Sequence, residues 1–175
     1  LPMDGMDQDD HELLELQTAL AVRRTAAAWL SAFEDALASR EAGRIAALFH
    51  EDSHWRDVLA FTWHITPVAG RDAIASRLAA EQPRAAAHGF VLPRERRAPR
   101  QVTRLGIASI EAIYEFDTTV GRGAGVVRLS PDADGAMKAW LLSTTLQSIA
   151  GHEEKIGPNR PSGSAYSRNF GGDNW

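Results

Sequence analysis

The sequence predicts an α+β fold, with three to four helices packed on one face of a curved, mostly antiparallel sheet. Two patterns carry that prediction. Through the first half, apolar residues recur at spacings of three and four; through the second half they alternate, the period of a strand. Helices followed by strands joined through short turns is the order of an α+β domain. At 175 residues and 44% apolar, the chain is long enough for one domain with a substantial core and has little left for a second.

Asp9 or Asp10 can cap a first helix carrying Leu13, Leu14, Leu16 and Leu20, and its early acids suit the positive end of the helix dipole. A stronger helical stripe follows from Thr25 to Ala38, where Ala26, Trp29, Leu30, Phe33 and Leu37 share a face. Ser39 is the expected N-cap of a shorter helix with Ile45, Leu48 and Phe49 inside. Asp52 and Ser53 end the helical period. From Ser53 to Ile65 the chain alternates: Trp55, Asp57, Leu59, Phe61, Trp63 and Ile65 point one way, and His54, Arg56, Ala60, Thr62 and His64 the other. After Pro67 and Gly70 a further helix runs from Asp72 to about Gln82, where Pro83 is expected to stop it. The remaining segments read as strands: Gln101 to Leu105, Ile107 to Val120, about Ala124 to Ser130, and Met137 to Ile149. Gly121-Arg122-Gly123 and Pro131-Asp132-Ala133-Asp134-Gly135 supply the hairpin connections.

Composition excludes several functions. The absence of cysteine removes disulfide scaffolds, thiolate metal sites and cysteine nucleophiles. A net charge of −4 argues against nucleic acid as a partner. No apolar run approaches the roughly 20 residues of a membrane span, and no signal peptide is visible, so no membrane partner and a cytoplasmic location are expected. The charge is uneven: residues 1–22 hold six acids and no base, whereas Arg94, Arg96, Arg97, Arg100 and Arg104 face only Glu95. That basic cluster reads first as a solvated loop and second as a docking patch for a phosphate or a partner domain.

Asp57 is the leading functional candidate. A carboxyl in a row of rings and branched side chains must be paired, hydrogen-bonded, protonated or turned toward an unfilled cavity. Such settings are the raw material of acid/base sites. A structural role stands beside that one, with Arg56, Arg71 or a backbone amide satisfying the acid. Trp29, Phe33, Trp55, Phe61, Trp63, Tyr114, Phe116 and Trp140 are expected either to line one concavity or to form plain core. If a pocket survives, Asp57 and the Tyr114 hydroxyl are its expected polar members, with Thr144 and His64 as weaker additions.

Two motifs tempt without persuading. His50-Glu51-Asp52-Ser53-His54 matches the H-E-x-x-H zinc pattern literally, but it straddles a helix end and a strand start, so the imidazoles need not converge. No metal site is expected. Gly121-Arg122-Gly123-Ala124-Gly125 looks like a phosphate loop, yet it opens no helix whose N-terminus would hold a phosphate.

The segment "ALFHEDSHWRDVLAFTWHITPVAGRDAI", preceded by helices and followed by a twisted meander ending "WLLSTTLQSIAGHEE", resembles the nuclear transport factor 2-like, or SnoaL-like, superfamily over about residues 24–150. His54-Trp55-Arg56-Asp57 with Leu59, Gly70-Arg71-Asp72-Ala73-Ile74, the Gly121–Val126 hairpin and the closing Arg168-Asn169-Phe170-Gly171-Gly172-Asp173-Asn174-Trp175 look more narrowly like the N-terminal module of flavin-containing monooxygenase-like proteins. The resemblance implies a cone-shaped fold enclosing a pocket, with residues 1–23 as an acidic helical extension, 24–150 as the domain and 151–175 as a linker or arm. It also implies a flavin- and NADPH-binding oxidoreductase domain following the tail, although no glycine-rich dinucleotide motif occurs here, so no cofactor is expected in this chain. The first expectation is a homodimeric accessory domain that binds a hydrophobic small molecule and has no chemistry of its own. The rivals are a stand-alone isomerase, dehydratase or cyclase with Asp57 as general acid/base and Tyr114 in support, and a non-catalytic assembly module.

Overall fold

The computed structural model describes residues 4–152, with side chains from Gln8 onward. One helix, α1 (Asp4–Ser39), takes the place of the two that the sequence suggested. Neither glycine nor proline occurs between Met6 and Ala42, so nothing interrupts the backbone ladder. At 1.5 Å per residue its 36 residues span about 54 Å, and the half from Val22 onward packs Ala26, Trp29, Leu30, Phe33 and Leu37 into the core. A short α2 (Ala42–Ala46) follows, and Phe49 opens strand β1 (Phe49–Val58) instead of closing a helix.

The expected strand over 53–65 is in fact two. After β1 the chain turns through residues 59–64 and returns as β2 (Ile65–Ala69), antiparallel to β1, with His54 opposite Ala69 and Val58 opposite Ile65. Alternation holds through Asp57 and then fails. Leu59 and Trp63 take left-handed φ values of 65° and 58°, and Trp63 and Ile65 are 42% and 66% exposed where the alternation had turned them inward.

Helix α3 (Arg71–Ala85) carries Pro83 inside its last turn and not beyond it. A proline there removes one ladder bond near an end that is already fraying. The Gln82 side chain closes that end by accepting from Ala87 N at 3.2 Å and donating to Ala87 O at 2.9 Å. The remaining strands are β3 (His88–Val91), β4 (Arg100–Arg104), β5 (Ile107–Asp117), β6 (Gly121–Pro131) and β7 (Met137–Ile149). The sheet order is β2-β1-β7-β6-β5-β3, with β4 also pairing β5. β1 and β7 run parallel; the other pairs are antiparallel. No helix among the described residues is long and apolar enough to cross a membrane.

The helices cover the inner face of this curved sheet, and the space between is filled by rings in mutual contact. Trp29 stacks on Phe33 at 5.0 Å, Phe33 meets Phe90 at 5.3 Å, Phe90 stacks on Phe116 at 5.0 Å, and Phe116, Phe61 and Trp55 continue the chain at 6.2 and 5.6 Å. Such pairs stabilise by about 0.5–1.5 kcal/mol each beyond the area they bury.

Part of the arginine cluster is spent on the chain's own sheet. Arg96 pairs with Glu115 at 2.8 Å, while Glu111 gathers Arg100 at 2.8 Å, Arg128 at 2.7 Å and Arg104 at 3.5 Å. The Arg100 hydrogen bond, with Arg128 in support and burial opposing, holds the Glu111 carboxyl down at about 2 against its ordinary 4.5. A carboxyl whose folded value lies below its unfolded one stabilises above the unfolded value and ceases to do so as pH falls through the folded one. Urea midpoints should therefore decline between pH 4.5 and 2 more steeply in the parent than in Glu111→Gln. At neutral pH that variant should be about 1–2 kcal/mol less stable, a figure discounted for solvent screening. Equal acid slopes in the two chains would refute the assignment.

Candidate functional site

Asp57 sits where its strand position placed it, facing the core, and has no solvent-accessible surface. Its partners are neither Arg56 nor Arg71. Oδ1 accepts from the Thr144 hydroxyl at 2.6 Å and Phe61 N–H at 3.2 Å; Oδ2 accepts from Phe61 N–H at 3.0 Å, Thr62 N–H at 2.8 Å and the Thr62 hydroxyl at 2.8 Å. Trp55 Nε1–H in turn donates to Thr144 Oγ1 at 2.9 Å. The carboxylate thus ties β7 to the 59–64 turn and sets the turn's shape by holding two successive backbone amides. Every direction from which a substrate could offer a proton is taken by a protein donor.

Tyr114 is equally enclosed, and its hydroxyl donates to Ser143 O at 2.6 Å. Burial, with the Asp57 charge adding to it, pushes that phenol well above its ordinary range, so it stays protonated at neutral pH. With no accessible surface on either residue, neither borders a space that a water molecule could enter. The expected pocket wall is therefore core: Trp29, Phe33, Trp55, Phe61 and Phe116 are buried against one another. Trp63 and His64 lie outside it, exposed on the turn, with Arg84 over the Trp63 ring at 5.9 Å. Alternation told which way these residues face, but not whether their rings would leave a gap.

Trp140 departs from the others. It stands at a bulge in β7, where Leu129 pairs with Ala139 and Arg128 with Leu141, and Arg128 lies over its ring at 5.6 Å. There it helps line a cavity of about 380 Å³ on the sheet. β1 contributes His50, Asp52 and His54 from alternate positions; Ser130 and Pro131 end β6; the β4–β5 turn overhangs with Arg104, Leu105 and Ile107. His50 Nε2 is anchored 2.9 Å from the Ser130 hydroxyl and 3.0 Å from its carbonyl oxygen. The volume and the mixture of indole, aliphatic and converging polar groups suit a small molecule with a flat apolar body.

The two histidines of the H-E-x-x-H match thus do share a site, on a strand and not on a helix. No group of three or more potential metal-binding side chains occurs among the described residues. Sequence reasoning passed over this site, although the strand period read back through residues 54, 52 and 50 places all three side chains on the outward face. Its opposite wall comes from pairings distant in sequence and left no comparable signal.

No protein-family model and no curated protein matches this sequence. Solved structures do. A ketosteroid isomerase-like protein from Erwinia carotovora atroseptica is 13% identical, with 73% of this chain and 94% of that one covered at a TM-score of 0.51. A protein of unknown function with a cystatin-like fold from Nostoc punctiforme is 12% identical, covering 70% and 88%, also at 0.51. A chain named Rd1NTF2_05 is 15% identical, covering 69% and 96% at 0.50. At these identities the likeness is one of fold, the nuclear transport factor 2-like cone.

Proposed function

We propose that this chain is a cytoplasmic, non-catalytic accessory module of the nuclear transport factor 2-like fold, and that it binds a hydrophobic small molecule in the cavity beside Trp140 and not inside the cone. The saturated, inaccessible carboxylate of Asp57 carries this reading. An isomerase or dehydratase built on Asp57 and Tyr114 needs room for a substrate between them, and the ring contacts of the core occupy that room. In the outer cavity, Trp140, Leu105, Ile107 and Pro131 supply apolar contact, while His54 and Asp52 can orient one polar group beside Arg104, which Glu111 holds at 3.5 Å. The resemblance of the closing segment supports a place ahead of a flavin- and NADPH-binding oxidoreductase domain, to which such a module would present or retain substrate. The module is homodimeric in the same proposal.

The test is an NMR titration of the indole N–H signals with indole, 2-naphthol and benzoate. The Trp140 signal should move saturably while that of Trp55 stays still, and His54→Ala with Leu105→Asp should weaken binding at least about tenfold, equivalent to 1.4 kcal/mol. Movement of Trp55 with Trp140 unmoved would return the ligand to the interior. Silence from all three probes, together with no thermal shift, would leave only the assembly role.

A further inference from the structure

Among the described residues, none buries α1 between Gln8 and Ala21. Every residue from Gln8 to Ala21 is exposed, including Leu13, Leu14, Leu16 and Leu20, each more than half so. Four leucines on a bare helix are an unusual use of apolar surface. The helix has two distinct sides here. His11, Leu14, Glu15, Thr18 and Val22 overlie Pro99, Arg100 and Gln101 of the same chain across an open cavity. At 100° per residue, Leu13, Leu16 and Leu20 form a ridge on the opposite side, at the three-then-four spacing of a helix-packing seam. Asp9, Asp10 and Glu12 flank that ridge, and no ion pair holds any of them among the described residues. The wanted partner is therefore apolar at its centre and basic at its rim.

Such a surface lies on the same edge of the molecule. The segment between β3 and β4 carries Arg94, Arg96 and Arg97, all exposed. Arg96 is engaged with Glu115, whereas Arg94 and Arg97 make no ion pair among the described residues. Val91 is exposed at its start, and Arg23 of α1 donates to Leu92 O at its base, so ridge and loop are neighbours within one chain. Neighbouring complementary surfaces are what a two-fold axis requires, because each copy's ridge meets the other's loop in the same operation. Pairing ridge against ridge in parallel would instead bring acid against acid, and an antiparallel pair would set the acids near Arg23, already donating to Leu92 O, and Arg24, leaving Arg94 and Arg97 unengaged.

We propose that the ridge Leu13–Leu16–Leu20 is an interface with a second copy of this chain, each α1 lying on the other's 92–99 loop, with Asp9, Asp10 and Glu12 opposite Arg94 and Arg97. This stands apart from the ligand reading, since it uses none of the residues around Trp140. The experiment is sedimentation equilibrium on three chains: the parent, Asp9→Lys/Asp10→Lys/Glu12→Lys, and Arg94→Glu/Arg97→Glu. The parent should dimerise, more weakly as salt rises. Each variant alone should be monomeric at parental concentrations, with an unchanged melting profile of the core because the altered residues are exposed. An equimolar mixture of the two variants should dimerise again, because both ridge-to-loop contacts are then opposite in charge. Leu13→Glu/Leu20→Glu should be monomeric alone and in every mixture. A parent that stays monomeric, a dimer indifferent to both charge sets, or a mixture that fails to recover association would each overturn the proposal.

Discussion

Asp57→Ala should destabilise the fold by about 3–5 kcal/mol, the scale on which breaking a buried charged hydrogen-bond set operates. The substitution leaves four buried donors facing a void: the Phe61 and Thr62 amides and the Thr62 and Thr144 hydroxyls. The two hydroxyls can turn elsewhere, Thr62 toward His64 O at 3.1 Å, but the amides cannot. Asp57→Asn should lose less, about 1–2 kcal/mol, if its amide nitrogen takes the Oδ1 position, where Thr144 can reverse its hydroxyl and accept. Urea denaturation followed by tryptophan fluorescence reads both, with Trp55 as reporter through its bond to Thr144. An alanine variant within about half a kcal/mol of the parent would mean that the carboxylate organises nothing.

Gly125→Ala should be comparably damaging, by about 2–4 kcal/mol, through overpacking and not through a cavity. Gly125 pairs with Tyr114 across the β5–β6 ladder, and the phenol crosses over it to reach Ser143 O on β7. A methyl at that position would fall inside the contact radius of the Ser143 carbonyl oxygen and 2.6 Å from the Tyr114 hydroxyl. Gly123 makes the same allowance for the Phe116 ring, whose nearest edge atoms would lie under 3 Å from a methyl. Removing the hydroxyl with Tyr114→Phe should not rescue Gly125→Ala, because the nearest obstacle is backbone. A thermal melt of the double variant matching Tyr114→Phe alone would refute this. The glycine run that imitates a phosphate loop is thus present so that two rings can lie across a strand.

How far the chain was legible depended on whether the relevant interaction was local. The helical stripe of α1 from Ala26 to Leu37 and the alternation of β5 read directly, because burying one face imposes a period that the residues must display. The break at Asp57 did not. Residues 59–64 continue the apolar pattern in letters, and only four donors converging on one carboxylate bend the chain into a turn there. Strands β2 and β3 are five and four residues long, too short for a pattern to stand out, and they exist because β1 and β5 offer them edges.

The direction of the Asp57 side chain, the α+β class, the missing thiols and the acidic and basic stretches of the chain belonged to the sequence by itself, since each follows from residue type and local period. What the tertiary structure decided was whether the inward-facing rings leave a hollow. Among the described residues they do not, because stacking and edge contacts between rings as far as 57 positions apart in the chain, Phe33 and Phe90, close it. The same long-range pairing that filled the cone left a concavity beside Trp140 and bared the leucine ridge of α1, and no local period encodes the volume that remains when distant side chains meet.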